Sequence, residues 1–373
     1  MATKTKIFYI HCGGNTIGGV ETYLSHMVEN HKNNEAYLGI VKSGNFLHYL
    51  REQQTKNIIH LHGGRLRELN KVGIAIRNAC RFVRRNKIKL IIAKGYNSWI
   101  YGSIVAYLTK TKSIFYIAND INPQYWKSPI TCIGSYLRPN HYLANSQFTA
   151  VSIKEILNKK ASIVYPAANI SKFTNIDHNQ ARNFLCKEFA IAPHKFIYTI
   201  VGRLQEWKGQ HIAISAFKEM HNKKNSVLLV VGDYTHESDR PFFERLQQLA
   251  TNENVIFTGF RKDVPQIVSG SDVIIHASTT PEPFGITIIE GMFARKPVIA
   301  SAAGGPLEII EHNKSGLLVL PKNPNKLAKS MDKLHNNQKQ CILLGKKAYE
   351  EAQKKFSIEA SIHRMEEVID SIL

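Results

Sequence analysis

Short apolar runs alternate with longer mixed segments from one end of the chain to the other. In the first half KIFYIH, YLGIV, NIIHL, KLIIA, SIFYI, YLA and SIVYP have the length and β-branched content of buried strands. In the second half the rhythm restarts with KFIYTIV, SVLLVVG, NVIFTG, DVIIHA and KPVIAS, each followed by a helix-like segment. Near-continuous apolar strands separated by helices are what a parallel sheet covered on both faces requires. The restart predicts two doubly wound α/β domains. Their boundary is placed near Pro166, where Tyr165-Pro166-Ala167-Ala168-Asn169 ends an apolar run and leads into polar sequence. Between Val72 and Lys89, Val72, Ile76, Ala79 and Val83 fall on one helical face and Arg77, Arg81, Arg84 and Arg85 on the other. From Phe356 to Leu373, the spacing of Ile362, Met365, Val368, Ile369 and Ile372 marks a terminal amphipathic helix.

Composition changes this picture little, and charge changes it more. The 373 residues exceed one typical core, and 43% hydrophobic with 21% charged residues is ordinary for a globular protein. Lys94, Asn97 and Ser98 interrupt the most apolar region, 90–108, so no run approaches the ~20 residues that span a bilayer. The opening MATKTKIFYIHCGG reads as a first strand and not a signal peptide, which places the expected location in the cytoplasm. Cys12, Cys80, Cys132, Cys186 and Cys341 are odd in number and contain no CxxC pair, against both a disulfide framework and a zinc site. Lys and Arg total 49 against 29 acids, a net +20. Residues 1–165 hold 23 basic and 7 acidic side chains, leaving 26 against 22 for the remainder. A positive field concentrated in the first half calls for an anionic partner there: a phosphorylated or lipid-linked acceptor, a membrane face, or nucleic acid.

Three stretches carry candidate chemistry. His11-Cys12-Gly13-Gly14-Asn15-Thr16-Ile17-Gly18-Gly19-Val20-Glu21 comes after the first strand and opens a helix, so its glycines allow close approach of a ligand to free N–H groups. The spacing does not fit G-x-G-x-x-G, which argues against a nicotinamide or flavin site. In Gly202-Arg203-Leu204-Gln205-Glu206-Trp207-Lys208-Gly209, Arg203 and Lys208 place two cations on a strand-to-helix loop, an arrangement suited to neutralising a departing diphosphate without a metal. No Asp-x-Asp pair occurs, removing the simplest carboxylate site for a nucleotide-bound divalent ion. The third stretch, PEPFGITIIE, sets Glu282 on a turn and Glu290 in what reads as the first turn of a helix. An ionised carboxylate only accepts, and its two oxygens match the vicinal diol of a ribose at Glu290. Glu282 suits sugar hydroxyls or positive charge developing at an anomeric carbon, with the N–H groups of Phe284 and Gly285 beside it. A helix-terminal charge and an exposed carboxylate are the structural alternative for the two glutamates.

The order GRLQEWKG, VVGDY, VIFTGFRKDV, SDVIIHAS, EPFGITIIEGMFARKPVIAS, GGPLEII and SGLLVLP resembles the second domain of the retaining GT-B glycosyltransferases that use an E-x7-E motif, glycosyltransferase family 4 or "glycosyl transferases group 1". GGVETYL, ANSQFTA and VYPAANISKF extend the resemblance more weakly into the first half. The resemblance implies two Rossmann-like domains facing across a cleft: an acceptor-binding domain at 1–166, a nucleotide-sugar-binding domain at 167–355, and a helix at 356–373 crossing back to the first. It implies that Arg203 and Lys208 hold the donor diphosphate, Glu290 the ribose and Glu282 the transferred sugar. Phe284, Gly285 and Thr287 would add loop contacts, with Gly18 and Gly19 approaching the donor from the first domain. Where many members carry a His followed by an acid, this chain reads Ala118-Asn119-Asp120, so Asp120 remains the candidate for the catalytic role assigned there.

The expected function is thus metal-independent, cofactor-free, retaining transfer of a sugar, most simply from a UDP-sugar, to a glycan, lipid-linked or phosphorylated acceptor. Bacterial lipopolysaccharide core, capsule or other surface-glycan assembly is the expected setting, on the inner face of the plasma membrane through the basic first half. A sugar-nucleotide epimerase or a phosphorylase shares the architecture. A basic nucleic-acid-binding module would account for the charge and leave the paired glutamates unexplained; no base-stacking aromatic pattern supports it.

Overall fold

The computed structural model describes residues 4–14, 19–119, 121, 137–168 and 170–373. The chain forms two compact units, Met1–Ala167 with Ile358–Leu373, and Ala168–Ser357. Both are α/β with parallel sheets, as the alternation of apolar runs predicts.

In the first unit the strands are β1 (Thr5–His11), β2 (Asn34–Ile40), β3 (Ile58–His60), β4 (Leu90–Lys94), β5 (Lys112–Ile117), β6 (His141–Ala144) and β7 (Ala161–Ile163). They lie in the order β3-β2-β1-β4-β5-β6-β7, every described pairing parallel. Ile7, Phe8, Leu38, Ile91, Ile92 and Phe115 are fully buried, which explains why these strands read as unbroken apolar runs instead of alternating ones. Helix Leu69–Asn86 covers one face through Ala75, Ala79, Cys80 and Val83, while Arg77, Arg81, Arg84 and Arg85 stay exposed. It stops at Lys87, whose φ of 55° is left-handed.

The terminal helix Ile358–Ile372 belongs to this unit. Ile362, Met365, Val368 and Ile369 enter the same core as Tyr9, Leu38 and Ile92, each contributing roughly 2 kcal/mol when fully buried. Its buried Glu366 accepts hydrogen bonds from the backbone N–H of Lys32 (2.8 Å) and Asn33 (2.7 Å). Tyr23 and Ser361 join hydroxyls at 2.8 Å. Among the described residues no helix is long and apolar enough to cross a membrane.

The second unit is built on β8 (Phe196–Val201), β9 (Ser226–Val231), β10 (Val255–Gly259), β11 (Val273–His276), β12 (Val298–Ser301) and β13 (Leu317–Val319). Their order is β10-β9-β8-β11-β12-β13, again parallel throughout. The apolar pattern predicts the first five and misses β13. Three residues at a sheet edge are too short to stand out from a loop until β12 pairs with them.

In each sheet the chain reverses its direction of winding once: between β1 and β4 in the first, and between β8 and β11 in the second. Connections leave such a point toward opposite faces and open a crevice at the carboxyl ends of the two strands, which is where doubly wound sheets bind ligands.

Candidate active site

The second sheet's crevice is lined by the loops that leave β8 and β11. Behind β8 runs the Gly202–Gly209 loop, which enters helix Gln210–Glu219. Gly209 has a φ of +73°, and a Cβ there would lie 1.9 Å from the carbonyl oxygen of Ala277. Only glycine permits this approach, and it presses the loop against the end of β11. The N–H of Thr279 then donates to the Trp207 carbonyl at 2.8 Å. A similar crossing anchors the Glu282 turn: the N–H of Gly305 donates to the Glu282 carbonyl at 2.7 Å, and Gly304, φ +74°, leaves no room for a Cβ against Glu282.

These backbone constraints converge four side chains. Lys208 Nζ donates to Glu282 Oε1 at 2.7 Å. His276 Nε2 lies 2.6 Å from Glu282 Oε2, and Ser278 Oγ donates to the same oxygen at 2.7 Å. Facing a carboxylate, His276 carries its proton on Nε2. Glu282 is 8% exposed, and burial by itself raises a carboxyl pKa; the adjacent His276 and Lys208 outweigh that and hold it well below the usual carboxylate range. Lys208 also sits 4.1 Å from the centroid of the Trp207 ring, a cation–π contact that orients the ammonium. One of its three N–H donors is committed to Glu282, leaving two.

Helix Ile286–Phe293 starts after Gly285, so Glu290 is its fifth residue. The expectation of a first-turn carboxylate is corrected: Glu290 stands in the second turn and has an intrahelical place. It is half-buried, and no cation comes within 4 Å among the described residues. Burial pushes its carboxyl up to about 7, with Lys172 pulling the other way. Phe284 turns its ring into the core, edge-on to Phe356 at 5.6 Å, so its backbone is the part that borders the turn. Thr287 is half-buried, and Arg203 is exposed, its carbonyl accepting from Gln210 Nε2 at 2.8 Å.

The structure therefore brings Lys208 and Glu282 into contact and adds two residues to which the sequence pattern assigns no role, His276 and Ser278. The available signal is a histidine closing the otherwise apolar run VIIH. Gly18 and Asp120 lie outside the described residues, as does Cys132, while Gly19 opens helix Gly19–Asn30. In the first unit, Lys94 ends β4 at 3% exposure, its ammonium 4.4 Å from the Tyr23 ring centroid and 4.8 Å from that of Tyr116. Burial pushes this ammonium down to about 7, with Glu21 opposing. Among the described residues no group of three or more His, Cys, Asp or Glu side chains is placed to share a metal ion.

Against known proteins, residues 182–351 match the profile of the family described as glycosyl transferases group 1. An uncharacterized glycosyltransferase of Methanocaldococcus jannaschii is 31% identical over 179 residues, 47% of this chain and 45% of that protein. The human alpha-1,3/1,6-mannosyltransferase ALG2 is 26% identical over 272 residues, 66% of this chain and 63% of that protein. The chain spans about half the length of the relatives it matches. Among solved structures, Anabaena HepE in complex with UDP-glucose superposes with a TM-score of 0.84 at 23% identity, covering 98% of this chain and 99% of that one. At that identity the likeness is one of fold, and the fold is GT-B.

Proposed function

We propose that this chain, whose residues 182–351 form a group 1 glycosyl transferase domain, moves a sugar from a nucleoside diphosphate sugar to an acceptor hydroxyl with retention of anomeric configuration. The observation that carries this reading is the Lys208–Glu282–His276–Ser278 cluster at the carboxyl edge of β8 and β11. When the bond from the anomeric carbon to the donor diphosphate breaks, negative charge grows on the departing oxygens. The two uncommitted N–H groups of Lys208 and the guanidinium of Arg203 meet that charge, with no metal or further cofactor required of the chain. The acceptor oxygen bonds to the anomeric carbon on the same face, and its proton passes to the departing phosphate oxygen. Glu282, held ionised, keeps acceptor capacity on Oε1 for a sugar hydroxyl and stabilises positive charge at the ring. Glu290 takes the ribose diol, and the backbone of Phe284 and Gly285 with Thr287 borders the sugar.

A UDP-sugar is the proposed donor, supported by HepE, which was solved with UDP-glucose. The proposed setting is surface-glycan assembly in the bacterial cytoplasm, at the inner membrane face. What supports the membrane is the exposed arginine face of helix Leu69–Asn86, flanked by exposed Leu69, Ile74, Tyr107 and Leu108.

Incubation with UDP-, GDP- and ADP-sugars and a panel of oligosaccharide and lipid-linked acceptors tests the chemistry. Transfer with retained configuration is expected. Donor epimerisation without acceptor, or no turnover of any donor, defeats the proposal. Vesicles containing anionic lipid should bind the chain at low salt and lose it at high salt, with Arg81→Glu/Arg84→Glu/Arg85→Glu weakening binding at least tenfold. Indifference to lipid charge would remove the membrane from the reading.

A further inference from the structure

The first unit has a cavity of about 360 Å³ at the carboxyl edge of its sheet. Cys12, just after β1, and Asn97, just after β4, both line it, so it opens beside the point where the winding reverses. The rest of its wall includes Lys42, just after β2, and Arg65, Arg67 and Tyr101. The wall is braced from behind. A Cβ at Gly13, φ +72°, would meet the Lys42 carbonyl oxygen at 2.9 Å, so the two backbones are in close register. The Tyr101 hydroxyl donates to the Gly64 carbonyl at 3.0 Å, and Asn78 Nδ2 donates to that of Leu61 at 3.1 Å, pinning the loop that carries the arginines.

Charge in this cavity is only partly compensated: three cations line it, and one carboxylate, Glu68, borders its wall at Gly64. The neighbouring carboxylate, Glu68, is already engaged: Lys71 Nζ donates to Oε1 at 2.7 Å and the backbone N–H of Arg65 donates to Oε2 at 2.6 Å. Among the described residues no carboxylate is ion-paired with the side-chain nitrogens of Lys42, Arg65 or Arg67, although the charge of Arg65 reaches Glu68. Burial pushes the Cys12 thiol up to about 11, although Ser98 and Lys42 oppose the rise, so the sulfur stays neutral and adds no negative charge. Three like charges converging on one concavity repel one another, and an oxyanion placed between them relieves that repulsion.

We infer that this cavity binds an acidic group, phosphate or carboxylate, carried by the sugar acceptor. Arg65 and Arg67 supply paired N–H donors, Lys42 a compact charge, and Asn97 a neutral donor for an adjoining hydroxyl. The inference rests on the glycosyl transfer proposed above and narrows the acceptor to acidic glycans.

Calorimetric titration of the full chain with glucose 6-phosphate, glucuronate and glucose tests it. Glucose 6-phosphate, or both acidic sugars, should bind at least tenfold more tightly than glucose. Arg65→Glu/Arg67→Glu should abolish that preference and Arg65→Gln/Arg67→Gln should weaken it, with unchanged circular dichroism. Arg203→Gln, an exposed cation of the second unit, should leave it intact. No preference for the acidic sugars, or a preference lost in Arg203→Gln and kept in the Glu double variant, overturns the inference. Nucleotide-sugar turnover is scored separately: acid-selective binding by a chain that turns over no donor defeats the transfer reading while leaving the cavity's selectivity standing.

Discussion

The carboxyl edges of the two sheets solve the same problem of holding charge in opposite ways. At the edge of β8 and β11 the charges are already matched: Lys208, His276 and Ser278 all meet one carboxylate, Glu282, within 2.7 Å. On the side of β1 and β4, Lys42, Arg65 and Arg67 line a cavity where, among the described residues, no carboxylate is ion-paired with their side chains, and Lys94 is buried against two tyrosine rings. A self-satisfied cluster is rigid before any ligand arrives, which favours positioning of reacting atoms. An unmatched one is completed only by its ligand, which favours selectivity for charge. The difference also assigns where stability is at risk. Removing one member of a buried matched set strands its partners, whereas removing one of several unmatched like charges relieves repulsion.

The largest effect should come from breaking the matched set. Lys208→Ala leaves Glu282 buried with His276 and Ser278 alone and should lower unfolding free energy by about 3 kcal/mol, read by urea denaturation. Turnover should fall by about a thousandfold, as when one charge-stabilising donor is removed. Glu282→Gln keeps the shape and loses the charge, so turnover should fall with a smaller stability cost. Near-normal turnover in both would detach the cluster from catalysis.

The pH dependence separates the two glutamates. Glu282 is depressed in the folded state, so its stabilising contribution is complete above the ordinary carboxylate range and is lost progressively as pH falls below that range into strong acid. Glu290 is raised to about 7, so the opposite sign applies. Its carboxyl costs nothing below the unfolded-state value near 4.5, and folding loses stability as pH rises from there to about 7, by roughly 3 kcal/mol. A ribose diol requires the ionised carboxylate. Nucleotide affinity should therefore rise roughly 25-fold from pH 5.5 to 7.5, and Glu290→Gln should flatten that rise while making the protein more stable at pH 8. An unchanged pH profile in the variant would place the ribose elsewhere.

The contrast between the edges is half legible in the residues. Apolar runs reveal the strands because both faces of each sheet are covered, and PEPFGITIIE stands out because two carboxylates border an apolar helix. Strand order is not a local property, however. Nothing in residues 196–208 says that β11 lies beside β8, so the sequence assigns Lys208 and Glu282 to separate ligand groups although they also bind each other. His276 is masked by the run that carries it. The misplacement of Glu290 by a turn stems from Gly285, whose φ of 124° delays the helix start to Ile286.

The smallest expected effect is the sharpest test of the comparison, because its sign differs from every other. Lys42 is half-buried, close in sequence to no acid, and shares its cavity with two guanidiniums. Lys42→Met keeps most of the apolar stem while removing one of three like charges, so the first unit should be unchanged or stabilised by up to ~0.5 kcal/mol at low salt. Salt screens the same repulsion, so the gain should vanish at about 1 M ionic strength, where the screening length falls to about 3 Å. Measured by urea denaturation at two salt concentrations, a loss of stability above about 1 kcal/mol would mean that Lys42 has a matched partner after all, and the two edges would then be built alike.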